Sequence, residues 1–189
     1  ERWFNVDWVD MLKVKASIGS QGNDNIGNFL YADRYDISNS DGKVGVAFGA
    51  KGTKDITWET NTNFNAGFEF EFFKRLSGGI EYYKRNTTDM LFSFSVAPSA
   101  GYTSYYDNVG DLFNDGIELE LSYDIIKRRN INWNVFGNIS TLRNRITMLH
   151  EDNKTTSYFD LEGNEYFGYT SGSFFIAEGA SMYSWRLKE

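Results

Sequence analysis

Between Asn63 and Phe72 the chain alternates strictly. Phe64, Ala66, Phe68, Phe70 and Phe72 are apolar, and Asn63, Asn65, Gly67, Glu69 and Glu71 stand between them. Successive side chains of a strand point to opposite faces, so this segment has one aromatic face and one polar face carrying two carboxylates. A helix, turning about every 3.6 residues, would scatter the same residues around its circumference. The pattern recurs in Leu12, Val14, Ala16 and Ile18, in Ile117, Leu119, Leu121, Tyr123 and Ile125, and in Ile131, Trp133, Val135 and Ile139. A further strand runs over about 77–92 through Ile80, Tyr82 and Tyr83.

Two-faced strands need their apolar side covered, and little else in this sequence can cover it. There is no amphipathic helix of convincing length and no run of about 18 apolar residues for a transmembrane helix. The strands of a transmembrane barrel alternate, so their hydropathy averages out. The negative mean hydropathy of the chain is therefore compatible with a membrane. Nineteen Lys and Arg against 26 Asp and Glu leave a net charge of -7, which argues against nucleic acid as a partner. With no cysteine, disulfides and thiolate metal sites are excluded. The chain begins at Glu1 without Met and ends on a strand-like stretch, 182–189, and is read as a piece of something longer.

The connections are of two kinds. Three long segments, about 20–55, 93–111 with the only proline, and 148–177, are rich in turn-forming residues. Strand-like pieces at about 28–37 and 43–48 fit either barrel strands or a hairpin within the first loop. The other connections are tight. For Phe70 and Ile80 to share a face, an odd number of residues must separate the strands, and Lys74, Arg75 and Leu76 supply three. The same test on Ile125 and Ile131 gives five, 126–130. Short turns at one end and long loops at the other are the polarity of an outer-membrane barrel, with periplasmic turns and extracellular loops. Lys74, Arg75, Lys127, Arg128 and Arg129 cluster at the tight turns, where charge is tolerated. A soluble antiparallel sandwich also alternates, but it needs a second layer over each apolar face. Lipid covers one continuous apolar side without further protein, provided that other strands close the open edges.

Several segments, in order, resemble one family. Ile56-Thr57-Trp58-Glu59-Thr60-Asn61 with Phe64-Asn65-Ala66-Gly67-Phe68-Glu69 is similar to the Trp-Glu segment and following strand of SusC/RagA-type TonB-dependent transporters of the Bacteroidetes outer membrane. Leu12 to Gly19 with Gly22-Asn23-Asp24, Tyr82 to Leu91, Asn108-Val109-Gly110 with Asn114 to Leu119, and Trp133 to Asn138 continue the series. The segment from Glu178 and Gly179 to Tyr183 resembles the next barrel strand. The resemblance implies an all-β, antiparallel fold: about six strands of a 22-stranded transmembrane barrel, with the plug domain outside this chain. It implies the cell outer membrane, a SusD-like surface lipoprotein as lid, TonB engaged through a segment absent here, and import of oligosaccharides or peptides. No enzyme activity and no cofactor are implied.

On this reading Phe64, Phe68, Phe70, Phe72, Leu119, Leu121, Trp133 and Val135 face lipid, and Glu69, Glu71, Glu118 and Glu120 face the lumen. Paired carboxylates also serve glycoside hydrolysis, so a glycan-cleaving enzyme is a competing class. A soluble or surface-exposed β-sheet binding domain of adhesin type is another. His150, the single histidine, stands where a loop begins and cannot form a triad or multi-histidine site alone. Asn23, Asp24 and Asn25 lack the spacing of an EF-hand and read as turn residues. Three glycosylation sequons, at Asn86, Asn138 and Asn153, carry no assigned role. The loops place Tyr102, Tyr105 and Tyr106 in one segment and Tyr158, Tyr166, Phe167 and Tyr169 in another. Their rings suit carbohydrate or protein surfaces, and they are the expected substrate or lid contacts.

Overall fold

A computed structural model of the chain describes residues 6–24, 27–40, 42–102, 104–182 and 184–185. It contains fourteen strands: β1 (Val9–Asn23), β2 (Arg34–Ser40), β3 (Lys43–Ala50), β4 (Glu59–Phe72), β5 (Leu76–Thr88), β6 (Leu91–Ser95), β7 (Ser104–Asn108), β8 (Gly110–Lys127), β9 (Asn132–Ser140), β10 (Arg143–Leu149), β11 (Thr156–Phe159), β12 (Glu165–Ser171), β13 (Phe174–Ala177) and β14 (Ser184–Trp185). Two short 3-10 turns, Pro98–Ala100 and Glu151–Asn153, complete the regular structure, and the described residues hold no α-helix. The long strands form one six-stranded sheet in the order β1-β4-β5-β8-β10, with β9 also on β8.

The chain divides into two compact units. The first, 1–20, 62–86 and 113–144, holds the two-faced strands and their tight turns. On its polar face Lys15 Nζ lies 3.0 Å from Glu69 and 2.9 Å from Glu81, while Lys13 Nζ lies 3.3 Å from Glu69. Asn65 donates to the Ser17 hydroxyl, and Arg85 donates to Asn63 at 2.7 Å. The apolar face carries a run of rings down β4: Phe68 and Phe70 centroids are 6.1 Å apart, and Phe70 and Phe72 stack at 4.8 Å. Gly78 continues this face. A Cβ there would meet the Phe70 ring at 3.0 Å and a Leu121 methyl at 2.8 Å, so β4, β5 and β8 present one apolar surface.

The β4–β5 turn is Phe73-Lys74-Arg75, three residues as the parity requires but one position earlier than expected. Phe73 and Lys74 both take positive φ, 55° and 53°. The Arg75 amide donates to the Phe72 carbonyl at 3.1 Å. The β8–β9 turn corrects the expected five-residue connection. It has four residues, 128–131, and a bulge between Asp124 and Ile126 restores the parity above it. Leu119 then pairs with Ile139, Leu121 with Gly137 and Tyr123 with Val135, while Glu118, Glu120, Ser122 and Asp124 pair with Ser140, Asn138, Phe136 and Asn134. A one-residue bulge re-phases a strand just as one turn residue does.

β9 and β10 are interrupted at Thr141 and Leu142. There Thr141 accepts the Ile117 amide on its hydroxyl at 3.0 Å and donates its own amide to the Ile117 carbonyl at 2.9 Å. Arg143 then clamps the buried Asp115 carboxylate with two hydrogen bonds of 2.9 and 2.7 Å.

The second unit, 21–61, 87–112 and 145–189, holds the segments expected as long loops. They contain regular structure of their own. β2 and β3 form a separate two-stranded sheet, so the strand-like pieces expected at 28–37 and 43–48 are an in-loop hairpin of 34–40 and 43–50, with 28–31 in turns. β6 and β7 form a second hairpin, and β11 to β14 form a four-stranded sheet. Every buried apolar side chain among the described residues belongs to this unit: Val109, Ile146, Leu149, Phe175 and Ala177. Gly179 and Ala180 exchange backbone hydrogen bonds with Ile146. Asn25, Tyr183 and 186–189, parts of the turn and terminal readings, lie outside the described residues.

Candidate functional site

The loop tyrosines meet only in part. Tyr102 and Tyr105 centroids are 6.3 Å apart, Tyr105 stacks on Phe94 at 5.4 Å, and Phe94 lies 6.5 Å from Tyr169. Tyr102 also packs edge-on against Phe48, which in turn contacts Tyr35 at 5.3 Å. Lys51 Nζ stands 5.0 Å above the Tyr105 ring, a cation–π contact. The β2–β3 and β6–β7 hairpins are thus joined through rings, and a cavity of about 940 Å³ opens beside them, lined by Tyr31, Asp33, Phe48, Lys51, Lys54 and Tyr102 among others. Phe48, Tyr35, Phe94 and Lys51 were missed in the sequence. The signal for Phe48 was its alternation with Val44 and Val46 in β3.

Tyr106 occupies the next position on β7, pairs with Ser93, and points away from Tyr105 by strand alternation. Its carbonyl accepts the Thr53 hydroxyl at 2.6 Å. Tyr166 pairs with Tyr158 and covers Gly179, and Phe167 is half exposed on β12. Neither has a ring contact with Tyr102 or Tyr105 in the described set. Burial pushes the Tyr169 hydroxyl pKa up.

Two side-chain anchors hold this unit. Asn108 accepts the Thr57 amide at 2.9 Å and donates to the Thr57 and Asp89 carbonyls, so one side chain ties three segments. Lys154 lies 2.7 Å from Glu151 and 3.0 Å from Glu178, both of which raise its pKa. Lys154 in turn lowers that of Glu178. The His150 amide donates to the Val109 carbonyl at 2.8 Å, so its backbone takes part in this core.

The carboxylates expected on the polar face are there as a row. Glu69 is neutralised by two lysines, and Glu118 and Glu120 oppose Ser140 and Asn138. Glu71 follows Glu69 on the same face by alternation. Glu69 thus makes its ion pairs with Lys13 and Lys15. Among the described residues no cluster of three His, Cys, Asp or Glu side chains is placed to hold a metal. Among the described residues nothing covers the opposite face: Phe64 and Phe68 are 38% and 39% exposed, Val135 49% and Trp133 54%.

A continuous antiparallel sheet with an uncovered apolar face, a charged opposite face and structured loops is a segment of barrel wall. Residues 4–182 match the family model described as TonB-dependent receptor-like β-barrel, and the chain belongs to that family. It is 27% identical to the TonB-dependent receptor SusC of Bacteroides thetaiotaomicron over 193 residues, covering 91% of this chain and 19% of that protein. A TonB-dependent receptor of Formosa agariphila is 25% identical over 183 residues, covering 94% of this chain and 16% of the relative. Among solved structures, the RagAB peptide transporter superposes with a TM-score of 0.75 and 27% identity, over 93% of this chain and 18% of that one. The chain therefore spans less than a fifth of each of these three relatives, and its SusC/RagA-type resemblance stands.

Proposed function

We infer that this chain is wall and rim of an outer-membrane importer of oligosaccharides or peptides, energised through TonB and working with a SusD-like surface lipoprotein. The carrying observation is the β8–β9 register. It sets Leu119, Leu121, Tyr123, Val135 and Ile139 on one side and Glu118, Glu120, Ser122, Asp124, Asn134, Asn138 and Ser140 on the other, where the exposed Phe136 is the one apolar exception. Phe64, Phe68, Phe70, Phe72 and Trp133 join the apolar side and face hydrocarbon. Glu69 and Glu71 join Glu118 and Glu120 on the side of a hydrated lumen. An uncovered aromatic face of this extent is unfavourable in water and favourable in lipid. The loop unit supplies part of the extracellular rim, where Tyr102, Tyr105, Tyr106, Tyr166, Phe167 and Tyr169 contact lid or substrate.

The facing assignment has a direct test in the barrel-containing protein. Arg on the lipid side near mid-bilayer costs about 2–4 kcal/mol. Phe68→Arg and Phe70→Arg are expected to lower the yield of assembled barrel, scored by heat-modifiable gel mobility, and Asn65→Arg to leave it unchanged. Equal tolerance at all three positions would refute the assignment.

A further inference from the structure

The two tight turns of the sheet are adjacent. Lys127 Nζ donates to the Lys74 carbonyl at 2.9 Å, and the Asp124 amide donates to the Arg75 carbonyl at 2.9 Å. Their basic residues therefore form one patch. Five cations, Lys74, Arg75, Lys127, Arg128 and Arg129, meet four carboxylates at this end, Asp7, Asp10, Glu71 and Asp124. Two of those carboxylates are already engaged: Asp10 accepts the Lys74 amide, and Asp124 binds Lys127 at 3.1 Å and Asn134 at 2.8 Å. Arg75 bonds the Ile125 carbonyl at 3.4 Å. Among the described residues the guanidinium groups of Arg128 and Arg129 have no hydrogen bond or ion pair, and both residues are exposed.

Beside the patch lies a belt of rings. Trp8 packs on Phe72 at 5.3 Å and stacks on Phe73 at 5.9 Å, while Trp8, Phe73 and Trp133 are each about half exposed or more. Aromatic rings next to free cations at a barrel rim match the acyl–headgroup boundary of a bilayer.

We propose that this turn end binds the phosphate headgroup of an anionic glycerophospholipid, held between Arg128, Arg129 and Lys74 with its acyl chains against Trp8, Phe73 and Trp133. The proposal rests on the apolar face being lipid-facing. The excess of cations and their free donors select an anionic lipid over a zwitterionic one.

The test uses the barrel-containing protein in mixed micelles of phosphatidylglycerol and phosphatidylcholine, with retained lipid counted by native mass spectrometry. The wild type is expected to retain phosphatidylglycerol preferentially. R128Q/R129Q is expected to weaken that preference roughly 25-fold, about fivefold for each cation removed. R128K/R129K should keep most of it, and K51Q/K54Q, in the loop unit, should keep all of it. Should the double Gln variant fail to assemble, R129Q alone carries the measurement, with about a fivefold loss expected. Quenching of a single-tryptophan variant retaining Trp133, by lipids brominated in the acyl chain, separates the two readings. Quenching without an anionic preference, a preference untouched by R128Q/R129Q, or displacement of phosphatidylglycerol by lipopolysaccharide overturns the headgroup site alone. Absence of quenching overturns the lipid-facing assignment and the headgroup site together.

Discussion

Gly116 shows how little room single residues have in this wall. A Cβ there would collide with the Thr141 carbonyl oxygen and come within 2.6 Å of the Tyr83 hydroxyl, which itself donates to Thr141 at 3.2 Å. Gly137, on the neighbouring strand, has nothing within 4 Å of the same position. Overpacking typically costs 1–3 kcal/mol. Gly116→Ala is thus expected to lower the temperature at which the folded gel band is lost, and Gly137→Ala to leave it in place. Asp160 makes a second case at this scale. Its carboxylate accepts amides from Glu162 and Asn164 and the Asn164 side chain. These bonds, led by the Asn164 side chain, lower its pKa from the usual value of 3.8. A depressed carboxylate stabilises the fold above its unfolded pKa and loses that contribution as pH falls through the folded value. Amide exchange at Glu162 and Asn164, taken relative to the intrinsic rate at each pH, is expected to accelerate below about pH 4. In Asp160→Ala it should be fast already at neutral pH.

At the scale of elements, both tight turns achieve the same parity by different means. The β4–β5 turn places Phe73 and Lys74 in the left-handed region, which favours Gly or Asn. Each non-glycine residue there costs about 1–2 kcal/mol. Lys74→Gly should therefore stabilise the barrel by about 1 kcal/mol in a urea refolding titration, since the strain goes while the turn bond from Arg75 to Phe72 remains. Phe73 keeps its strained place because its ring stacks on Trp8. That the apolar faces of paired strands stay in phase was legible in the sequence, because alternation makes it a matter of counting; the odd length held for the β4–β5 turn and not for the four-residue β8–β9 turn. The bulge at Asp124 and Ile126 was not. Ile125 and Ile126 are both apolar, so the pattern there has no phase to betray an extra residue.

Across the whole molecule, apolar residues divide between two tasks. In the wall unit they are left on an open face, and the described core of Val109, Ile146, Leu149, Phe175 and Ala177 lies wholly in the loop unit. The loops are thus small folded structures held by Asn108, by Lys154 and by the Phe48–Tyr102–Tyr105–Phe94 rings. Replacing Tyr102, Tyr105 and Tyr106 by Ala is expected to leave barrel assembly intact while reducing both lipoprotein association, measured by co-purification, and substrate uptake. Retention of both would remove the loop tyrosines from the rim's working surface.

Period-two alternation determined the strands, their two faces and the need for an outside cover, because the side-chain direction of an extended backbone depends on sequence position alone. The ordered motifs from Leu12 to Asn138 carried the family for the same local reason. Only the tertiary structure decided which loop rings meet, since Phe48 reaches Tyr102 and Phe94 reaches Tyr169 across long separations that no local period encodes. It also brought Lys127 to the Lys74 carbonyl, turning two separate basic turns into a single charged patch, because adjacency of turns is a property of strand order.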